Sequence, residues 1–123
     1  MFANTRAYSG FAVDDVEKAQ GFYGEKLGLE TSVQNGLMTL HLAGDRPTLV
    51  YPKPDHTPAD YTILNFPVDD IDKAVDELAA RGVTFERYDG FEQDERGVFR
   101  GEGPDIAWFK DPAGNVLSVL KEN

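Results

Sequence analysis

The sequence predicts an α+β fold built from two copies of one β-α-β unit, and three observations carry that reading. First, the stretch Val13-Asp14-Asp15-Val16-Glu17-Lys18-Ala19 returns as Val68-Asp69-Asp70-Ile71-Asp72-Lys73-Ala74, an internal repeat. Second, each copy follows a short apolar run, Phe11 to Val13 or Ile63 to Val68, and opens an amphipathic helix. Third, each helix closes at a glycine, Gly28 or Gly82, before another β-rich segment. The 123 residues fit one domain: repeat one over about 5–51, a proline-rich linker over 52–60 and repeat two over about 61–121.

In the first copy, residues 7–13 read as a strand, loosely alternating and rich in aromatic and small side chains. Asp14 is the expected N-cap, with Glu17 three positions on to complete a capping box. Val16, Ala19, Tyr23 and Leu27 then recur at helical spacing, so a helix over about 15–27 should pack one face on the sheet. Three strands follow, over about 29–34, 37–42 and 47–51. Asn35-Gly36 between the first two is a two-residue hairpin signal, because a type I′ turn needs positive φ at both central positions. Pro52, Pro54 and Pro58 stiffen the linker and bar regular pairing.

In the second copy, alternation over 62–68 puts Leu64, Phe66 and Val68 under the helix and Ile63, Asn65 and Pro67 on the opposite face. Ile71, Ala74, Val75, Leu78 and Ala79 form the stripe of a helix over about 70–81. Residues 83–88 resume as a strand. Residues 89–104 are polar and glycine-bearing, with Phe91, Val98 and Phe99 embedded; part of this stretch, around 97–100, is able to pair as a strand. A long loop carrying core-type aromatics often covers a site, which makes Phe99 a candidate binding residue. Residues 106–110 and 116–120 form a last hairpin around Asp111-Pro112-Ala113-Gly114-Asn115.

Composition removes several functions. A net charge of −10 disfavours nucleic acid and anionic membrane, which need a basic face, and leaves a neutral or cationic small molecule as the natural partner. Zero cysteines exclude disulfides, thiolate metal sites and a cysteine nucleophile, and suit a reducing compartment. No apolar run approaches the ~20 residues of a membrane span and the start has no signal-peptide pattern, so the expected location is the cytoplasm. Gly97, Gly101 and Gly103 lack the spacing and following helix of a phosphate loop, and no Ser-His-Asp arrangement is legible.

The two Asp-Asp helix openings, Phe22-Tyr23, Lys26-Leu27-Gly28-Leu29 and Asp111-Pro112-Ala113-Gly114-Asn115 together resemble the vicinal oxygen chelate superfamily of glyoxalase I, bleomycin-resistance proteins and extradiol dioxygenases. The resemblance covers essentially the whole chain. It implies two βαβββ repeats whose curved mixed sheets surround a cup, with helices outside, and a homodimer. It also implies metal ligands, usually His, Glu or Gln, at positions held here by Tyr8, Ile63, Ser118 and one residue among Thr48, Leu49 and Val50. These side chains do not make a useful divalent-ion site, so the expectation is no metal and no cofactor, as in the drug-binding branch.

The candidate binding residues are therefore Tyr8, His41, Val50, Ile63, Asn65, Phe99, Trp108 and Ser118. Asn65 offers a donor and an acceptor in apolar surroundings, and Trp108, the sole tryptophan, offers a rigid ring with one N–H. By the family pattern Phe109 packs under the helices, which sends Trp108 and Ile106 toward the cup. His41 is either a structural residue or a lone general base, and His56 sits in the exposed linker. Arg96 and Arg100 lie among Glu92, Asp94, Glu95 and Glu102, where local ion pairing competes with a carboxylate clamp for a ligand. Two functions follow: a metal-free protein that sequesters an aromatic or cationic natural product or metabolite, and, as the alternative, a glyoxalase-like lyase or isomerase with atypical or no metal ligands.

Overall fold

The computed structural model of the chain describes residues 1–101 and 103–122. It separates into two compact units, Met1–His56 and Thr57–Asn123, each with its own sheet. No described helix is long and apolar enough to cross a membrane.

The first unit runs β1 (Ser9–Val13), α1 (Val16–Gln20), then β2 (Glu30–Gln34), β3 (Leu37–Leu42) and β4 (Arg46–Pro52). Its sheet has the order β1-β4-β3-β2, with β1 parallel to β4 and the other pairs antiparallel. Register puts Phe11, Val50 and Met38 side by side on the face that meets α1, with Val13 one step along. Tyr23 closes over this face, its ring 5.9 Å from that of Phe11. Asn35 and Gly36 take φ of 55° and 79°, the positive pair that the β2–β3 turn demands.

The helix cap lies one residue later than the capping-box pattern predicts. Asp15 is extended (φ −144°, ψ 106°) and its carboxylate accepts from the Lys18 amide at 3.1 Å, whereas Asp14 is exposed and makes no cap. The reason is reach: the cap oxygen bonds the amide three residues on, and helical geometry begins only at Val16. α1 is also shorter than its apolar spacing suggests, because Gly21–Lys26 continues as a π-helical turn, with the Leu27 amide bonded to the Phe22 carbonyl at 3.0 Å. The wider turn brings consecutive Phe22 and Tyr23 both into the core.

The second unit runs β5 (Thr62–Pro67), α2 (Ile71–Ala80), β6 (Asp105–Lys110) and β7 (Val116–Lys121), in the sheet order β5-β7-β6. Asp70 caps α2 as Asp15 caps α1, accepting from the Lys73 amide at 3.1 Å. Leu64, Phe66, Leu117, Val119, Ala107 and Phe109 share one sheet face by register, and Ile71 and Val75 of α2 are buried. The strand expected over 83–88 is instead an irregular arm touching the sheet at one bridge, Phe85 to Phe109, with the Glu86 amide on the Trp108 carbonyl at 2.8 Å. The pairing expected around 97–100 is likewise a bridge, Phe99 to Ile106. Side chains supply the bonds that a ladder would have made here.

Candidate functional site

The sheet face of the second unit that is turned away from Phe109 carries a row of side chains across all three strands. Trp108 on β6 pairs with Ser118 on β7, and Ser118 pairs with Asn65 on β5, so the three stand abreast on one face. Ser118 is fully buried and its Oγ donates to Asn65 Oδ1 at 2.5 Å. Asn65 itself is exposed.

Around Trp108 the arm over 84–101 folds back and builds an aromatic wall. The Phe91 ring lies almost parallel to the indole, 16° off with centroids 5.5 Å apart, and Phe99 sits 4.9 Å from Phe91 and 6.4 Å from Trp108. Tyr88 meets the indole edge-on at 5.4 Å. Burial, and after it the Glu86 carboxylate, pushes the Tyr88 phenol above its ordinary pKa. Phe91, Phe99, Ile106 and Trp108, with Gly101, Gly103 and Pro104, line an open apolar cavity of about 490 Å³. That is within the size of a small-molecule site, and its lining suits a flat ring.

Polar groups hold the wall in place. The Gln93 amide accepts from the Tyr88 amide at 2.9 Å and donates to the carbonyls of Glu86 and Gly97 at 2.9 and 2.7 Å, fixing both ends of the turn that bears Phe91. Asp94 Oδ1 accepts from the amides of Arg96 and Val98, each at 2.9 Å. Burial works against the charge on Asp94, but those amides and the Arg100 guanidinium outweigh it and hold the carboxyl below its ordinary pKa. Arg100 bridges Asp72, Asp94 and Asp105, and Arg96 pairs with Asp76 at 2.8 Å. Both arginines are thus engaged in fastening the arm to α2 and β6; Glu102 lies outside the described residues.

Of the residues expected at the site, Asn65, Trp108 and Ser118 come together, with Phe99 against Trp108. Ile63 is half-buried where β5 shifts register between Thr62 and Leu64. In the first unit Tyr8 is 65% exposed just before β1. His41 is exposed on β3, on the face opposite Met38 and Leu40, with Nε2 2.8 Å from Ser32 Oγ. Val50 points the other way from His41: it is fully buried under α1, a packing position rather than an accessible one. His56 is half-buried at the close of the first unit. Sequence reasoning names Phe91 only as an aromatic embedded in the loop and not as a binding residue, and does not single out Gln93; an aromatic in a polar stretch does not say where its ring goes.

The positions that the resemblance assigns to metal ligands do not form a donor set. Ile63 and Val50 have no donor atom, the Thr48 hydroxyl is bonded to Ser9 Oγ at 3.0 Å, and the Ser118 hydroxyl is bonded to Asn65. Among the described residues no three His, Asp or Glu side chains gather as ligands.

Residues 6–119 match the profile of the Glyoxalase/Bleomycin resistance protein/Dioxygenase superfamily. Compared with curated proteins, the sequence finds no match. Among solved structures it is similar to TnmS3, an antibiotic binding protein from Streptomyces sp. CB03234, with 25% identity, a TM-score of 0.69 and coverage of 95% of this chain and 96% of that one. A glyoxalase family protein from Enterococcus faecalis has 21% identity, a TM-score of 0.70 and coverage of 98% and 99%. A genomically encoded fosfomycin resistance protein, FosX, from Listeria monocytogenes has 15% identity, a TM-score of 0.70 and coverage of 95% and 92%. The last two likenesses concern the fold.

Proposed function

Since the chain belongs to the glyoxalase/bleomycin resistance protein/dioxygenase superfamily, we propose that it is a metal-free binding protein that sequesters an aromatic or cationic small molecule, a natural product or metabolite. The observation that carries this reading is the apolar cavity at Trp108, walled by Phe91, Phe99 and Ile106; the side chains at the family metal positions, taken by their chemistry, add no useful donor set. The antibiotic-binding role of TnmS3 supports the same use of the fold. Stacking on a rigid indole supplies affinity without any chemical step, and the net charge of −10 favours approach of a cation over an anion. The binding form is a homodimer.

Trp108 is the sole tryptophan, so its fluorescence reports the cavity directly. Titration with a panel of aromatic antibiotics should quench it, and the same compounds should raise the melting temperature, since a ligand at 100 times its Kd adds about 2.7 kcal/mol to native stability. Trp108→Ala should weaken binding at least about tenfold. A panel in which nothing shifts the melting temperature, or purified protein that keeps stoichiometric Ni²⁺ or Zn²⁺ through dialysis, would overturn the reading. Stoichiometric metal would favour the lyase or isomerase alternative.

A further inference from the structure

We propose that Asn65, which lies outside the cavity lining but two strands from Trp108 on the same sheet face, determines specificity: its amide N–H₂ selects a planar aromatic molecule that extends from the cavity across the face and carries a hydrogen-bond acceptor, such as a ring carbonyl or ring nitrogen. This inference rests on the binding role proposed above and names the ligand class.

The orientation of the Asn65 amide is the starting point. An amide side chain presents a carbonyl at one end and two N–H donors at the other, and the end that bonds first decides which end is offered. Here Ser118 Oγ donates to Asn65 Oδ1, which consumes the carbonyl end. Ser118 is completely buried, so water does not compete for its hydroxyl, whose bond in the structure goes to Asn65 Oδ1. Asn65 Nδ2 has no partner among the described residues and stands on an exposed side chain. The donor therefore points outward from a face that Trp108 shares.

The spacing sets the ligand. Neighbouring strands lie ~4.8 Å apart, so β5 and β6, with β7 between them, are about 10 Å apart. A ring stacked at Trp108 reaches toward Asn65 when it has two or three fused rings, and an acceptor on its inner edge then meets the amide. A ligand with a donor at that edge meets a second donor instead, which leaves both groups unpaired.

Three tricyclic probes of one shape separate the possibilities: fluorenone carries a carbonyl acceptor, carbazole an N–H donor and fluorene neither. Trp108 quenching should give a Kd for fluorenone about tenfold below that for carbazole, with fluorene between them. Asn65→Leu, at an exposed position, should abolish the preference for fluorenone over carbazole. Ser118→Ala, which frees the amide to turn over, should bring the Kd values for fluorenone and carbazole together. Equal binding of fluorenone and carbazole by the native chain, or a preference that survives Asn65→Leu, overturns the role of Asn65 and leaves aromatic binding standing. If none of the three probes quenches Trp108 or raises the melting temperature, both the inference and the aromatic cavity as a binding site fall.

Discussion

Gly101 is the residue on which the aromatic wall turns. A Cβ built there would stand 2.5 Å from Phe99 Cζ and 3.0 Å from Cε2, closer than carbon atoms approach, so the ring rests against a bare backbone. Gly101→Ala must push the Phe99 ring off its place beside Phe91 and Trp108. The expected outcome is a changed Trp108 emission and binding of aromatic probes weakened about tenfold, with thermal stability lowered by less than about 2 kcal/mol, because the displaced group is the free end of a side chain. Unchanged emission would mean that the ring moves without cost. How legible were such residues? Asn65 was readable because alternation along a strand fixes the face each residue takes, and Trp108 because alternation sets it opposite Phe109, which the family resemblance places under the helices. Gly101, Phe91 and Gln93 were not: they lie in an arm without periodicity, shaped by side-chain bonds to backbone groups several residues away.

At the scale of elements the two helix openings look alike in sequence and are alike in use, one residue beyond the first acid of each pair. Asp15→Ala should cost about 1 kcal/mol in urea unfolding, as should Asp70→Ala, whereas Asp14→Ala should cost less than about 0.5 kcal/mol. Equal costs at Asp14 and Asp15 would show that both acids serve the helix dipole and neither the cap. Strand positions were legible to within a residue or two, since β3 and the last hairpin announce themselves by alternation and by turn residues. The π-helical turn at Gly21–Lys26 was not, because Val16, Ala19, Tyr23 and Leu27 fit a 3.6-residue period as well as they fit the wider turn. The arm over 83–88 shows the opposite failure. Its residues have the composition of a strand, and tertiary bonds from Gln93 and Arg87 override it.

For the whole molecule the uneven charge is the dominant property. Fifteen of the 22 Asp and Glu residues, and seven of the 12 Lys and Arg, fall within Thr57–Asn123, so nearly all of the net charge belongs to the unit that carries the aromatic cavity. The proposed homodimer has to bring two such units into one particle, and screening by salt should tighten it. Light scattering at micromolar concentration should give twice the chain mass, more completely at 0.5 M than at 0.05 M NaCl; a monomer at both would remove the dimer. Sheet order carries a different consequence, for the chain while it is being made. β7 is the middle strand of its sheet and the last of the three to be synthesised; among the described residues β5 pairs with no other strand, and β6 otherwise meets only the isolated bridges from Phe85 and Phe99. Until it arrives, Phe66 sits on a strand open at the edge that β7 will cover, and Trp108 and Phe109 on one held only by the arm on its other side. A nascent chain halted before Val116 therefore exposes unpaired strand edges, and the excess of carboxylates in this unit supplies like-charge repulsion against their association.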